Sequence, residues 1–333
     1  MSEQRPTQVA SGSSQPAITQ GILFGESVVL IFLGPVIDHL AYPHIIDSVL
    51  AHADVKLLLR FRQTATKYSA RCIQAIGSHL IVGSTNSSPL VLTSSRGPLP
   101  RLSGLSPISY AEIERRIDNS QWLYTHCRIL DFHGHTGAKC PPSFIGALTS
   151  LRALRIILVQ DLYTNHGLDN LTIPTLVVFG PLPGYDRSYH RLYLWEGPYL
   201  PKSHKLAWVV TALSKRVRSG PLTFPFDVPT SVVLHLRHFR LFFQVFSKPD
   251  DTLACLGMIV HEILRRHAST TVKVVELEAI AFNNGSGPDL DECKAGLLRI
   301  VDQYTSRLVF MTSPEYCAEY GAEQYCIETC EKL

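Results

Sequence analysis

Beyond Thr125 the chain alternates short aliphatic runs with segments of helical periodicity, and that alternation limits its fold more than any other feature. Runs rich in Val, Ile and Leu predict extended segments at 128–132, 154–159, 172–179, 206–211, 231–236, 272–277 and 307–311. Apolar residues three and four apart predict long helices at 251–267 and 290–304. Shorter helices are predicted at 142–148, at 110–123 with Ser109 and Glu112 forming a capping box, and at 313–320 with Ser313 as cap and Pro314 in the first turn. Strands that alternate with helices predict an α/β body (α+β overall), either an open parallel sheet with helices on both faces or a solenoid whose strands line one surface. Two more strands are expected at 80–82 and 90–92, followed by a connection punctuated by Pro98, Pro100 and Pro107. This divides the chain into residues 77–124, a connecting segment, and 125–333, the body.

Residues 38–76 have a different texture. Pro43 suits a helix start, because its fixed φ is helical and its missing N–H would be unpaired there. Ile45, Ile46, Val49 and Leu50 then form one apolar stripe, and Asp54 caps a second helix carrying Leu57, Leu58 and Phe61. A third helix starts near Thr64, places Tyr68, Cys72 and Ile76 on one side, and is expected to end in a left-handed turn at Gly77. Three such helices bury little by themselves and need a larger body or a partner. Ahead of them, residues 1–20 are rich in Ser, Gln, Thr and Pro and are expected to be disordered. The apolar run 28–33 is broken by Gly34-Pro35, falls short of the roughly 20 residues of a membrane span, and lacks the basic flank of a signal peptide. It reads as a buried strand or packing segment, giving an N-terminal unit at 21–76.

The run from Tyr42 to Tyr68 resembles an F-box: Tyr42-Pro43 at the opening, the paired aliphatics, the Leu-rich second helix, then Thr64 and Tyr68, with Tyr replacing the usual Leu and Trp. Residues 127–156 resemble a degenerate leucine-rich repeat, and the whole chain resembles fungal proteins that combine the two. The resemblance implies that Tyr42, Pro43, Ile45, Ile46, Val49, Leu50 and Leu58 meet a Skp-type adaptor of a cullin-RING ubiquitin ligase while the body selects a protein target. It implies an interaction protein without catalysis or cofactor.

Charge and chemistry set the remaining bounds. A formal net charge of +3 over 333 residues is too small to point to nucleic acid or membrane partners. About ten Lys or Arg against about three Asp or Glu do fall between Asp186 and Lys248, and Lys202, Lys205, Lys215, Arg216, Arg218, Arg237 and Arg240 read there as a solvated face, or as a surface for an acidic partner. The scattered cysteines, without a CxxC pair, read as reduced thiols in a cytoplasmic or nuclear protein. Asp131, His133 and His135 form D-x-H-x-H at a strand end, the pattern of a metal-dependent hydrolase, and make the alternative from another class. A stand-alone repeat-type binding module, its first helices merely capping the body, is the third reading. Phosphate-loop, nucleophile-elbow and dinucleotide-fingerprint motifs are absent from the sequence.

Overall fold

The computed structural model describes residues 22–24, 27–29, 43–64, 66–83, 91–97, 99, 108–109, 124–134, 142–158, 171–180, 202–210, 229–237, 249–282 and 289–330. Residues 1–20, the predicted helix at 110–123, Tyr42 and His135 lie outside them. The chain divides into two compact units, residues 1–52 and 53–333. In the first, β1 (Ile22–Phe24) pairs antiparallel with β2 (Ser27–Val29), and α1 spans Pro43–His52. The apolar run expected as a strand therefore begins within β2, and its remainder lies outside the described residues.

The second unit opens with α2 (Val55–Thr64), a 3-10 turn at Thr66–Tyr68 and α3 (Ser69–Gly77). Asp54 acts as the cap its position suggests, its carboxylate accepting from the Leu57 amide at 2.7 Å. The left-handed end expected at Gly77 does not form. Ser78 leaves the helix at φ −60°, and the Ser94 hydroxyl donates to the Ile76 carbonyl at 2.8 Å, supplying the partner that a left-handed turn would otherwise provide.

The body is a ten-stranded sheet made of β3 (His79–Gly83), β4 (Val91–Ser94), β5 (Ile108–Ser109), β6 (Ile129–Gly134), β7 (Ala153–Leu158), β8 (Thr172–Gly180), β9 (Lys202–Val210), β10 (Ser231–His235), β11 (Thr271–Val275) and β12 (Leu308–Met311). β4 and β5 form an antiparallel edge, and from β3 through β6 to β12 every neighbouring pair is parallel. The fold is α/β. The two strands expected within 77–124 form as β3 and β4 and belong to the sheet itself. Spatial order follows chain order from β6 to β12 without reversal. Right-handed crossovers between parallel strands in such an order all return over the same face, whereas a doubly wound sheet must reverse once.

Register explains why this order is stable. Leu80, Leu130, Leu154, Leu176, Leu206, Val232, Val272 and Leu308 align strand to strand as one buried aliphatic row, with Val82, Phe132, Ile156, Val178, Trp208, Leu234 and Val274 as a second row on the same face. Period-2 side-chain alternation sets both rows, so a one-residue slip of any strand would turn its apolar residues out of that layer. Pro174 sits in β8 yet costs little: it lies near the strand entry, before the β7 pairing begins at Thr175, and the β9 register passes over it.

The described helices are α4 (Pro142–Ala147), α5 (Pro249–Arg266), α6 (Glu278–Phe282), α7 (Leu290–Val301), α8 (Ser313–Tyr320) and α9 (Ala322–Thr329). α5 buries Leu253, Leu256, Ile259, Val260, Ile263 and Leu264 at helical spacing. Its C-terminal end is closed by Arg307, whose guanidinium donates to the carbonyls of Leu264 and His267, each at 2.6 Å, and of Ala268 and Thr270 at 3.0 and 3.1 Å. A cation is well placed there, where helix carbonyls lack amide partners. Thr312, not Ser313, caps α8: its hydroxyl accepts from the Glu315 amide while the Glu315 carboxylate accepts from the Thr312 amide at 2.7 Å. Among the described residues no helix is long and apolar enough to cross a membrane, and the cysteines are free thiols.

Candidate protein-interaction face

The side of the sheet opposite the leucine row has a mixed chemistry. Its aligned positions run Asp131, Arg155, Val177, Ala207, Val233 and Lys273 in one row, flanked by Lys205 and Thr175 on one side and His133, Phe179, Val209, His235 and Val275 on the other. α8 and α9 lie over this face: Tyr316 and Tyr325 are buried in a cluster with Val177, Phe179, Val209, Val233 and Val275.

Glu328, fully buried on α9, is the centre of the contact. Its carboxylate accepts from Lys205 Nζ at 2.6 Å, His235 Nε2 at 3.0 Å, the Tyr316 hydroxyl at 2.6 Å and the Gln324 amide at 2.5 Å. Lys205 also donates to the Tyr316 hydroxyl and stands 4.2 Å from the Tyr320 ring centroid. Burial alone would raise the Glu328 carboxyl, but the His235 hydrogen bond and the Lys205 charge outweigh it and hold it down at about 2. Lys205 moves the other way for an ion pair, its pKa lowered because loss of solvent exceeds the attraction of Glu328. The difference follows from partner supply. The carboxylate gathers donors from the sheet and from both helices, so its charge is secure, and the cost of burial falls on the ammonium. Burial and Glu328 together push the Tyr316 hydroxyl far above its ordinary range, so it remains a donor. His235 Nδ1 has no hydrogen-bond partner, which fits the Nε2–H tautomer.

Two further anchors flank this centre. The Arg155 guanidinium donates to the Cys330 carbonyl at the end of α9 and packs 5.0 Å from the Phe179 ring centroid. Lys273 donates to Glu319 and to the Tyr320 hydroxyl, each near 2.5 to 2.6 Å. Glu276 holds the start of α8: it receives the Ser313 hydroxyl and, at 3.0 Å, that of Tyr325. Glu276 adopts φ +63°, a left-handed conformation uncommon outside glycine, kept in place by its amide donating to the Met311 carbonyl at 3.0 Å.

No protein-family model, curated protein or solved structure matches the chain. Pro43 and Ile45 of α1 are exposed, Ile46 and Val49 are half-buried, and Leu50 is buried. Leu58 is fully buried and serves the packing of α2, which leaves it no exposed surface for a partner, whereas its neighbour Leu57 is 41% exposed. The entry to α2 is tied to the β4 turn, Arg96 donating to the Ala53 carbonyl at 3.3 Å and accepting from the Val55 amide at 3.4 Å.

Asp131 and His133 do share a face of β6, as residues two apart on a strand must. Asp131 is engaged otherwise, 3.1 Å from His79 Nε2 and 3.4 Å from the Arg155 guanidinium, an ion pair that opposes a cation at the same carboxylate. Among the described residues no group of three His, Cys, Asp or Glu is placed to hold a metal ion. Lys205, read from sequence as solvated, is instead an interior cation. That Glu328, His235 and Tyr325 form one cluster is not visible in the sequence. The signal available was the run of Tyr316, Tyr320 and Tyr325 among Glu319, Glu323 and Glu328 at helical spacing, next to a Thr312-x-x-Glu315 cap.

Proposed function

We propose that the chain is an interaction protein, a substrate-receptor subunit of a cullin-RING ubiquitin ligase, whose first helices bind a Skp-type adaptor and whose body binds a protein target. The reading places it in the cytoplasm or nucleus and assigns it no catalytic step or cofactor. The observation that supports it is the exposure of large aliphatic side chains on both α1 and α2: Ile45 is 36% and Leu57 is 41% exposed, although each helix has interior positions available. Docking through such residues would bring a bound target close to the ligase and raise its effective concentration there.

Ile45→Asp and Leu57→Asp, made singly, test the reading by calorimetric titration of the purified chain against a Skp-type adaptor. Both positions are solvent-facing, so each variant is expected to melt within a few degrees of the wild type. Adaptor affinity should fall by roughly 10-fold or more for each, the cost of burying a carboxylate in an apolar contact. A folded wild-type chain that does not bind the adaptor at micromolar concentration removes the ligase reading and leaves α2 and α3 as a cap on the body.

A further inference from the structure

The two faces of the sheet differ in chemistry. One carries aliphatic and aromatic residues from β3 to β11, the composition of a permanent core. The other carries Lys205, His235 and Lys273 on β9 to β11, matched by Glu319 and Glu328, and Arg155 on β7, which pairs with Asp131 of the neighbouring β6 and also donates to the carbonyl at the C-terminal end of α9. A permanently buried contact gains little from such pairs, because well-packed apolar residues in their place are often as stable or more so. What ion pairs supply is selectivity among alternative occupants.

We propose that α8 and α9 are a resident ligand on a recognition face whose free charges are Lys205 and Lys273, and that this face takes an acidic, tyrosine-bearing helical segment of a partner protein in their place. The occupant it fits is defined by its contacts. Lys205 and His235 take a glutamate set two residues before the helix end, Arg155 takes the carbonyl at that end, and the valine floor takes an aromatic ring one turn earlier. Tyr325, Glu328 and Cys330 meet these demands in cis. Gly321, exposed and at φ +88°, joins the two helices without a longer linker, and Glu276 at its left-handed φ fastens only the start of α8 and the Tyr325 hydroxyl. Displacement thus requires breaking side-chain contacts and no strand pairing. The inference deepens the target-binding half of the proposed function and does not depend on adaptor binding.

The test uses the full chain and a fluorescent synthetic peptide with the sequence of residues 311–330. In the wild type the resident segment competes, so apparent affinity is reduced by the fraction of molecules in which it is open. A full-length Glu319→Gln, Glu328→Gln variant weakens the resident and leaves the sheet face intact. It should bind the peptide at least about 10-fold more tightly than the wild type does, and a peptide carrying the same two changes should lose that gain. A cooperatively folded variant that does not bind the peptide overturns the proposal, as does occupation by a 20-nucleotide RNA in preference to the peptide. Should the variant fail to fold, hydrogen exchange of the wild type decides: α8 and α9 amides exchanging about 100-fold faster than those of β8 to β10 support a separately opening segment, and equal protection overturns it. Adaptor titration of the same samples reads the other half of the function independently.

Discussion

Glu328 shows how far one side chain can set the behaviour of a surface. Its carboxyl is held at about 2, below its ordinary value of 4.5, so its ion pairs contribute stability that is fully present above pH 4.5 and lost as pH falls from there toward 2. The shift corresponds to about 3 kcal/mol. Urea denaturation of wild type and Glu328→Gln as a function of pH is the check. At neutral pH the variant should be less stable by about 3 kcal/mol, because Lys205 keeps a buried charge without a counter-ion. That difference should shrink as the wild type is titrated from pH 4.5 to 3. A constant difference across this range would mean that Glu328 contributes through packing alone. Its role is hidden in the sequence for a definable reason: nothing local links Glu328 to Lys205 and His235, and only the folding of α9 onto β9 and β10 brings them to it.

At the scale of elements, local signals and tertiary partners had unequal visibility. The β6 to β12 strands and the α5 and α7 helices follow from periodicity that the sequence displays, and their limits shift by only a few residues. Asp54 was legible as a cap because an N-cap needs only a short-range bond. The distant residues that finish helix ends were not legible, as with Ser94 of β4 at the end of α3 and Arg307 at the end of α5. α9 escaped because its inner face is Tyr325, Glu328 and Thr329 and not an aliphatic stripe. The contact of α5 with α7 gives an element-scale prediction. A Cβ at Gly257 would lie 2.6 Å from Ile300 Cδ1 and 3.1 Å from Ile300 Cβ, so Gly257→Ala forces the helices apart despite its better helix propensity. It should cost about 1 to 3 kcal/mol, read from the urea midpoint. Ile300→Val, which removes the closest atom, should recover part of the loss; a Gly257→Ala variant as stable as the wild type would show that Ile300 gives way freely.

For the whole molecule, the aliphatic row across the sheet makes stability depend on position. Leu176 lies in the middle of the row, with Leu154 and Leu206 on either side, whereas Leu308 ends it with a single strand neighbour. Leu176→Ala should therefore cost about 4 kcal/mol and Leu308→Ala about 2 kcal/mol, since a cavity between two strands collapses less than one at an edge. Equal costs in chemical denaturation would contradict a continuous layer. The choice between a two-sided open sheet and a sequential stack could not be made from sequence, because strand spacing is irregular: the aligned positions Ile129, Ala153, Thr175, Lys205, Ser231 and Thr271 fall at no fixed interval. Strand order decides it, and strand order is a tertiary property.

That order also bears on how the protein is made. From β7 to β12 each strand pairs with the described strand synthesised just before it, so a ribosome extrudes each of these units beside a finished template and none of them has to wait for a distant partner. The exceptions are α8 and α9, which follow β12 and settle on strands completed long before. Until α9 has left the ribosome it does not yet cover Arg155, Lys205 and His235, and an acidic helix within reach at that moment would meet those strands first.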